Sequence, residues 1–295
     1  MPPSFEGNEG NEGNAANVGG GGGTRAIFAD RIDLPFVTAE YAPGMEIAQQ
    51  RIQIPLYPVR NWAPNWYSWL VLTQFVATGW NKFNLLPSWA EKGWNSPKAE
   101  RHVNGELNKL VVAARNERAD ALAEIASQSD EFISYFLNLL TAPVGYPATA
   151  KLLTIASFIA GYCAMYYKGK YQRPRPTMLC PALLPPLPVP GHASFPSGHS
   201  TQGHFIALCM DDVLTGHPQL PSMANDMKAL ADRIARNREI AGFHYPSDTD
   251  AGVLLAQNIL PLLKEPLPPF ENGDPNPQTT WYQQALEAAR AEWVG

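Results

Sequence analysis

Apolar positions along this chain recur at helical spacing, and the strict alternation of a half-buried strand is almost absent. Trp62, Trp66 and Trp69 fall at helical spacing. The pattern through Phe83 predicts a helix with a core-facing aromatic stripe. From Pro97 to Leu140 the pattern is again helical, with a break near Ser127–Asp130 where Ser129 or Asp130 would cap a second helix. A loop over Thr141–Gly145 leads into a strongly apolar helix from Thr149 to about Lys168. Eight prolines between Pro174 and Pro196 exclude helix and central strand from residues 171–196, which reads as an ordered loop. Ser197 is suited to cap a helix over Gly198–Leu214 that Gly216 stops. Further helices are expected over about 223–240, over 248–263 with Ser247 as its cap and Pro261 shortening it, and over 278–293. The expected fold class is all-α, a helical bundle with functional loops at the helix ends.

This pattern divides the chain into four parts. Residues 1–24 form a Gly/Asn-rich tail too poor in apolar groups to fold. Residues 25–97 form an extended arm and a Trp-rich helix packing on the core, residues 98–264 the catalytic helical domain, and residues 265–295 a linker and C-terminal helix. Of the 295 residues, 45% are hydrophobic and 17% charged, and the net charge is -5, which excludes a generally basic nucleic-acid-binding surface. Any cationic site must be local. Cys163, Cys180 and Cys209 are too scattered for a disulfide framework or a zinc site. The start carries no secretory signal, and the apolar run Leu152–Tyr167 is shorter than the roughly 20 residues of a membrane span. A soluble, cytoplasmic protein with no membrane span is therefore expected. The aromatic N-terminal part could bury a homodimer face.

Three segments carry candidate chemistry. In Lys168-Gly-Lys-Tyr-Gln-Arg-Pro-Arg175-Pro176 a helix end delivers Lys168 and the next loop Arg175, a point charge and a planar fork suited to an oxyanion. A solvated basic turn is the plain alternative. In Pro196-Ser197-Gly198-His199 a helix start aims backbone N–H groups at an anion, and His199 can reach it as an acid. The plain alternative is an ordinary Ser cap. In the third segment Arg238 precedes His244, and Asp248 is close enough in sequence to bond one His244 nitrogen and leave the other free as nucleophile or ligand. Here the plain alternative is a structural histidine with a capping Asp.

Together and in this order the segments resemble the tripartite signature K-x6-R-P, P-S-G-H, S-R-x5-H-x3-D of the type 2 phosphatidic acid phosphatase and vanadium haloperoxidase superfamily. Asn237 departs from it, standing where the pattern has Ser. The resemblance implies a helical bundle of that type with its site at helix ends. It implies oxyanion binding by Lys168, Arg175, Arg238, Ser197 and the Gly198 N–H, His199 as general acid, His244 as nucleophile or vanadium ligand, and Asp248 as its orienter. It also leaves two chemistries open, since vanadate is tetrahedral and anionic like phosphate. The compact spacing, and the phrases K-x-K-Y-x-R-x-R-P and G-F-H-Y-P-S-D, resemble the soluble bacterial acid phosphatases. His192, five residues before Ser197, resembles a position near vanadate in algal bromoperoxidases. His192 and Asn237 are thus candidates for a supporting shell. The leading expectation is a phosphatase that hydrolyses a soluble phosphomonoester through a phosphohistidine, with no cofactor. The alternative is a haloperoxidase that uses vanadate, peroxide and halide. A non-catalytic anion-binding scaffold is a third reading.

Overall fold

The computed structural model describes residues 57–86, 97–140, 145–215, 221–265 and 279–293. The chain divides into two units. In the smaller, Gly19–Trp62, the described residues form a 3-10 turn, Val59–Asn61. The tail over 1–24 and most of the arm lie outside the described residues, as does Gly216.

In the larger unit the regular elements among the described residues are all helical, joined by loops, and contain no strand. The helices are α1 (Pro64–Ala77), α2 (Pro97–Asn116), α3 (Arg118–Asp130), α4 (Ile133–Leu139), α5 (Pro147–Tyr171), the single turn α6 (Pro176–Leu179), α7 (Gly198–Leu214), α8 (Pro221–Ile240), α9 (Pro246–Lys264) and α10 (Trp281–Ala291). The all-α expectation stands.

Helix α7 is the central rod, packed against α5, α8 and α9. Phe205, Ile206, Cys209, Met210 and Val213 are fully buried along it, each contributing about 1.5–3 kcal/mol of transfer free energy for its larger members. Helices α2 and α3 contact α8, and α1 and α10 contact α5. The C-terminal end of the chain fixes where α5 begins. The Glu292 carboxylate accepts from the Ala148 N–H (2.7 Å), the Thr149 N–H (2.8 Å) and the Thr149 hydroxyl (2.8 Å). These are donors that a helix start leaves unsatisfied, and a negative charge there opposes no part of the dipole.

Several local expectations are corrected. The segment from Pro97 to Leu140 breaks twice, at Glu117 and at Glu131–Phe132. Ser129 caps nothing: its hydroxyl donates to Ile125 O, and Glu131 Oε1 accepts from the Ser134 N–H instead. The proline-rich stretch holds α6 and a 3-10 turn, Pro181–Leu183, because Pro at a first helical position loses no bond. Tyr245, not Ser247, precedes α9, and Pro261 lies inside its last turn without ending it.

The aromatic stripe also faces the other way. Trp66 and Trp69 are 60% and 52% exposed, while Tyr67, Val71, Leu72 and Phe75 form the buried face of α1. Apolar residues cover nearly the whole circumference of this helix, so spacing alone did not select a face. The buried tryptophan is Trp80, stacked on Phe75 with centroids 5.5 Å apart.

Gly252 sits where α9 passes tightly over the start of α7. A Cβ there would lie 2.7 Å from Ser200 Cβ and 2.9 Å from Ser197 O, and neither atom can rotate away. Ala would gain about 1 kcal/mol of helix propensity over Gly, but overpacking costs about 1–3 kcal/mol. Gly252→Ala should therefore lower the melting temperature and, by displacing the Ser197–His199 turn, lower activity. A variant as stable and active as the parent would show that the two helices can part freely.

Candidate functional site

The Lys168–Pro176 segment leaves the C-terminal end of α5. Gln172 ends that helix in the left-handed region (φ 50°), and its N–H closes onto Lys168 O. Lys168 is buried, with its ammonium donating to Ala193 O (3.0 Å) and Ser194 O (3.2 Å). Carbonyl partners offset the cost of burying a charge. Arg175 is buried too. Its Nε donates to His192 O (2.9 Å), Nη1 to Phe243 O (3.0 Å), and Nη2 reaches His192 Nδ1 (3.0 Å).

His244 follows the turn at Gly242, whose φ of 84° suits glycine. Its ring is fully buried between two groups of opposite kind. Nδ1 is 3.3 Å from Asp248 Oδ2, and Nε2 is 3.1 Å from Arg175 Nη1. A guanidinium only donates and a carboxylate only accepts. Nε2 therefore presents its lone pair to Arg175 while Nδ1 carries the proton toward Asp248, an assignment made from the partners.

Asp248 is the hub of this arrangement. Oδ2 also accepts from Ser194 Oγ and from the Tyr245 N–H (3.0 Å), and Oδ1 accepts from Arg173 Nη1 (2.5 Å). Burial disfavours its charge. The charge of Arg173, then the bond from His244 and the hydroxyl of Ser194, outweigh that and hold the carboxyl well below the usual carboxylate range.

Ser197 is the N-cap of α7, as its position suggested, and its hydroxyl accepts from the Ser200 N–H (3.4 Å). Its own N–H donates to Asp248 O (3.0 Å), which ties the start of α7 to the start of α9. Gly198 opens the helix. His199, Asn237 and Arg238 meet the last turns of α3. His199 Nε2 is 3.0 Å from Gln128 O. The Asn237 amide donates to Gln128 Oε1 (2.9 Å) and Glu124 Oε2 (3.0 Å). Arg238 donates to Ser129 Oγ (2.6 Å) and Ile125 O (2.7 Å).

Two neighbouring groups of candidates result. One gathers Lys168, Arg175, His192, His244 and Asp248. The other gathers His199, Asn237 and Arg238 on α3. Ser197 links them through Asp248, and Arg238 links them through Phe243, whose N–H donates to Arg238 O and whose O accepts from Arg175. Sequence reasoning missed Arg173, Ser194, Glu106 and Gln128. Arg173 stood in the basic run, and Ser194 stood in the run before Ser197. Glu106 and Gln128 lie on helices with no local signal. The arrangement sets the buried cations Lys168, Arg175 and Arg238 near a histidine oriented by a carboxylate.

No known family profile matches the chain. It is 30% identical over 169 residues to decaprenylphosphoryl-5-phosphoribose phosphatase of Mycobacterium tuberculosis, in two strains, covering 55% of this chain and 90% of each relative. A likeness in fold is found with a crystal structure described as the first transmembrane PAP2 type phosphatidylglycerolphosphate phosphatase from Bacillus subtilis. The TM-score is 0.45 at 16% identity, over 68% of this chain and 94% of that one. The chain belongs to the family of the mycobacterial phosphatase.

One expectation is overturned here. The segment Pro147–Leu179, 33 residues, contains a helix long and apolar enough to cross a membrane, because α5 runs past both ends of the apolar stretch read from the sequence. The relatives are named for a lipid-linked substrate. A soluble, cytoplasmic protein does not fit these findings, which point to membrane association.

Proposed function

We propose that this protein hydrolyses a lipid-linked phosphomonoester through a phosphohistidine on His244. The observation that carries the reading is the His244 ring itself, held by Asp248 on Nδ1 with its Nε2 lone pair 3.1 Å from the fixed cation Arg175. The Nε2 lone pair attacks phosphorus, and the bond from phosphorus to the ester oxygen breaks. His199 supplies the proton that the leaving alkoxide takes up. Water then attacks the phosphohistidine, His199 accepts its proton, and phosphate leaves with His244 neutral again. Lys168, Arg175, Arg238, Ser197 and the Gly198 N–H face the charge on the phosphoryl oxygens, each such donor contributing about 10²–10³ in rate. His192 holds Arg175 in place, and Asn237 holds the end of α3 beside His199.

The soluble phosphoester expected from the sequence rested on the missing span, whereas α5 is long and apolar enough to be a candidate one. Exposed aromatic and apolar side chains on α1 and α5, among them Trp66, Trp69, Tyr162, Met165 and Tyr166, support a lipid-facing surface. The same donors and His244 would also hold vanadate, whose bound form supplies peroxide activation, so the alternative belongs in the test.

Detergent-purified protein should be assayed in three arms: a prenyl-linked sugar phosphate, p-nitrophenyl phosphate, and vanadate with peroxide and bromide. The expected result is hydrolysis in the first arm with kcat/KM at least about tenfold above the second, because remote binding energy is used at the reacting centre. Bromination with no release of phosphate from either ester would overturn the reading.

A further inference from the structure

Arg173 is a buried side chain that the proposed chemistry leaves without a role. It is 1% exposed, directly after the residue that ends α5. Its guanidinium joins three parts of the fold. Nη1 donates to Asp248 Oδ1 (2.5 Å) and Ser247 Oγ (2.8 Å), and Nη2 donates to Glu106 Oε2 (2.8 Å). Its plane lies over the Tyr245 ring, with Cζ 3.7 Å from the centroid. Its carbonyl accepts from the N–H of Ser194, whose hydroxyl is on Asp248. Glu106 comes from α2, remote in sequence from all three signature segments. Its other oxygen accepts from the Ser247 N–H (2.7 Å), in the first turn of α9.

We propose that Glu106 and Arg173 form a positioning pair that fixes the Asp248 carboxylate and, through it, the tautomer and charge balance of His244. The proposal rests on the phosphohistidine reading for its purpose and on the geometry above for its content. With Oδ1 gripped by Arg173, the carboxylate cannot rotate, and Oδ2 stays on His244 Nδ1. The charges explain why a second carboxylate is present. Arg173 alone would neutralise Asp248. Glu106 offsets Arg173, so the three groups together carry one negative charge, facing a ring that becomes cationic when Nε2 is phosphorylated. An isolated buried charge is costly, and opposite charges with hydrogen bonds offset much of that cost.

His244 is faced by Asp248 on α9, by Arg175 from the loop after α5 and by Ser194, and His192 touches Arg175 in turn. Arg173 and then Glu106 stand behind Asp248, and His102 is 3.5 Å from Glu106 at the surface. Opposite charge changes in the pair should thus move His244 in opposite directions. The readout is the pH at which the ¹⁵N-labelled His244 ring changes its signals, assigned by their loss in His244→Ala. It needs no turnover. In Glu106→Gln this midpoint should fall by about half a pH unit, and in Arg173→Gln it should rise by a similar amount. Arg173→Lys keeps the charge and should leave the midpoint near the parent value. With a hydrolysed substrate, Arg173→Lys should lower kcat about 10–100-fold, since misplacement of reacting groups is that costly. Its KM should stay within about threefold, because phosphate contacts remain.

Midpoints that stay put in folded Glu106→Gln, or that move the same way in both charge variants, would overturn the proposal. Should Arg173→Gln fail to fold, Glu106→Gln against Arg173→Lys decides it alone. If the parent protein releases no phosphate, the phosphohistidine reading fails while opposite midpoint shifts still uphold the pair.

Discussion

His244→Ala should reduce kcat by about 10⁴-fold or more, the scale seen when a member of a nucleophilic unit is removed. The His244 Nε2 is the lone pair set against Arg175, and its Nδ1 is fixed by Asp248. His192, the other imidazole on Arg175, bonds it through Nδ1, the nitrogen that in His244 faces Asp248. The ring is buried, so its removal leaves a cavity, and folding should be checked by circular dichroism alongside kinetics. A folded variant that keeps a tenth or more of the parent activity would remove His244 from the chemistry.

Asp248→Asn should have the next largest effect, on both rate and stability. Every group that touches the carboxylate is a donor: Arg173, Ser194, the Tyr245 N–H and His244 Nδ1. An amide of the same shape must turn its NH₂ toward one side. If it faces His244, it demands a lone pair at Nδ1, which moves the ring proton to Nε2 and removes the nucleophile. That tautomer error is worth about 10⁴ in kcat where the analogous Asp orients a catalytic histidine. If the NH₂ faces Arg173, two donors are set against each other there while the guanidinium keeps Glu106 and Ser247, at about 1–3 kcal/mol.

The stability loss has a pH signature. The folded carboxyl lies below its unfolded value, so its contribution is fully present above the unfolded pKa near about 3.9. It is lost as pH falls through the folded value. Denaturant unfolding should show a constant gap between parent and Asp248→Asn above about pH 5 that narrows below about pH 4. A gap that narrows on going alkaline would contradict the assignment.

The sequence carried the helices with periodic apolar faces and the three segments of the site. Chemistry at helix ends has local signals, such as Ser197 before Gly198 or Pro176 after Arg175. What it did not carry was of two kinds. Trp66 and Trp69 have the spacing of a buried stripe, but α1 is apolar almost all round, and packing against α5 rather than periodicity chose its face. Glu106, Gln128 and Ser129 act through contacts across more than sixty residues of chain, to Arg173, His199 and Arg238. On their own helices they look like ordinary polar positions. The membrane expectation failed at a boundary: α5 continues beyond Tyr167 through Lys168 and Lys170, so its length was underestimated.

The account turns on a covalent bond between phosphorus and His244 Nε2. Protein mixed with a ³²P-labelled phosphomonoester, stopped in alkaline detergent and cleaved into peptides tests it directly. The account predicts acid-labile label on the peptide that contains His244, and none in His244→Ala. Full turnover with no label on that peptide, or label on a different residue, would contradict it.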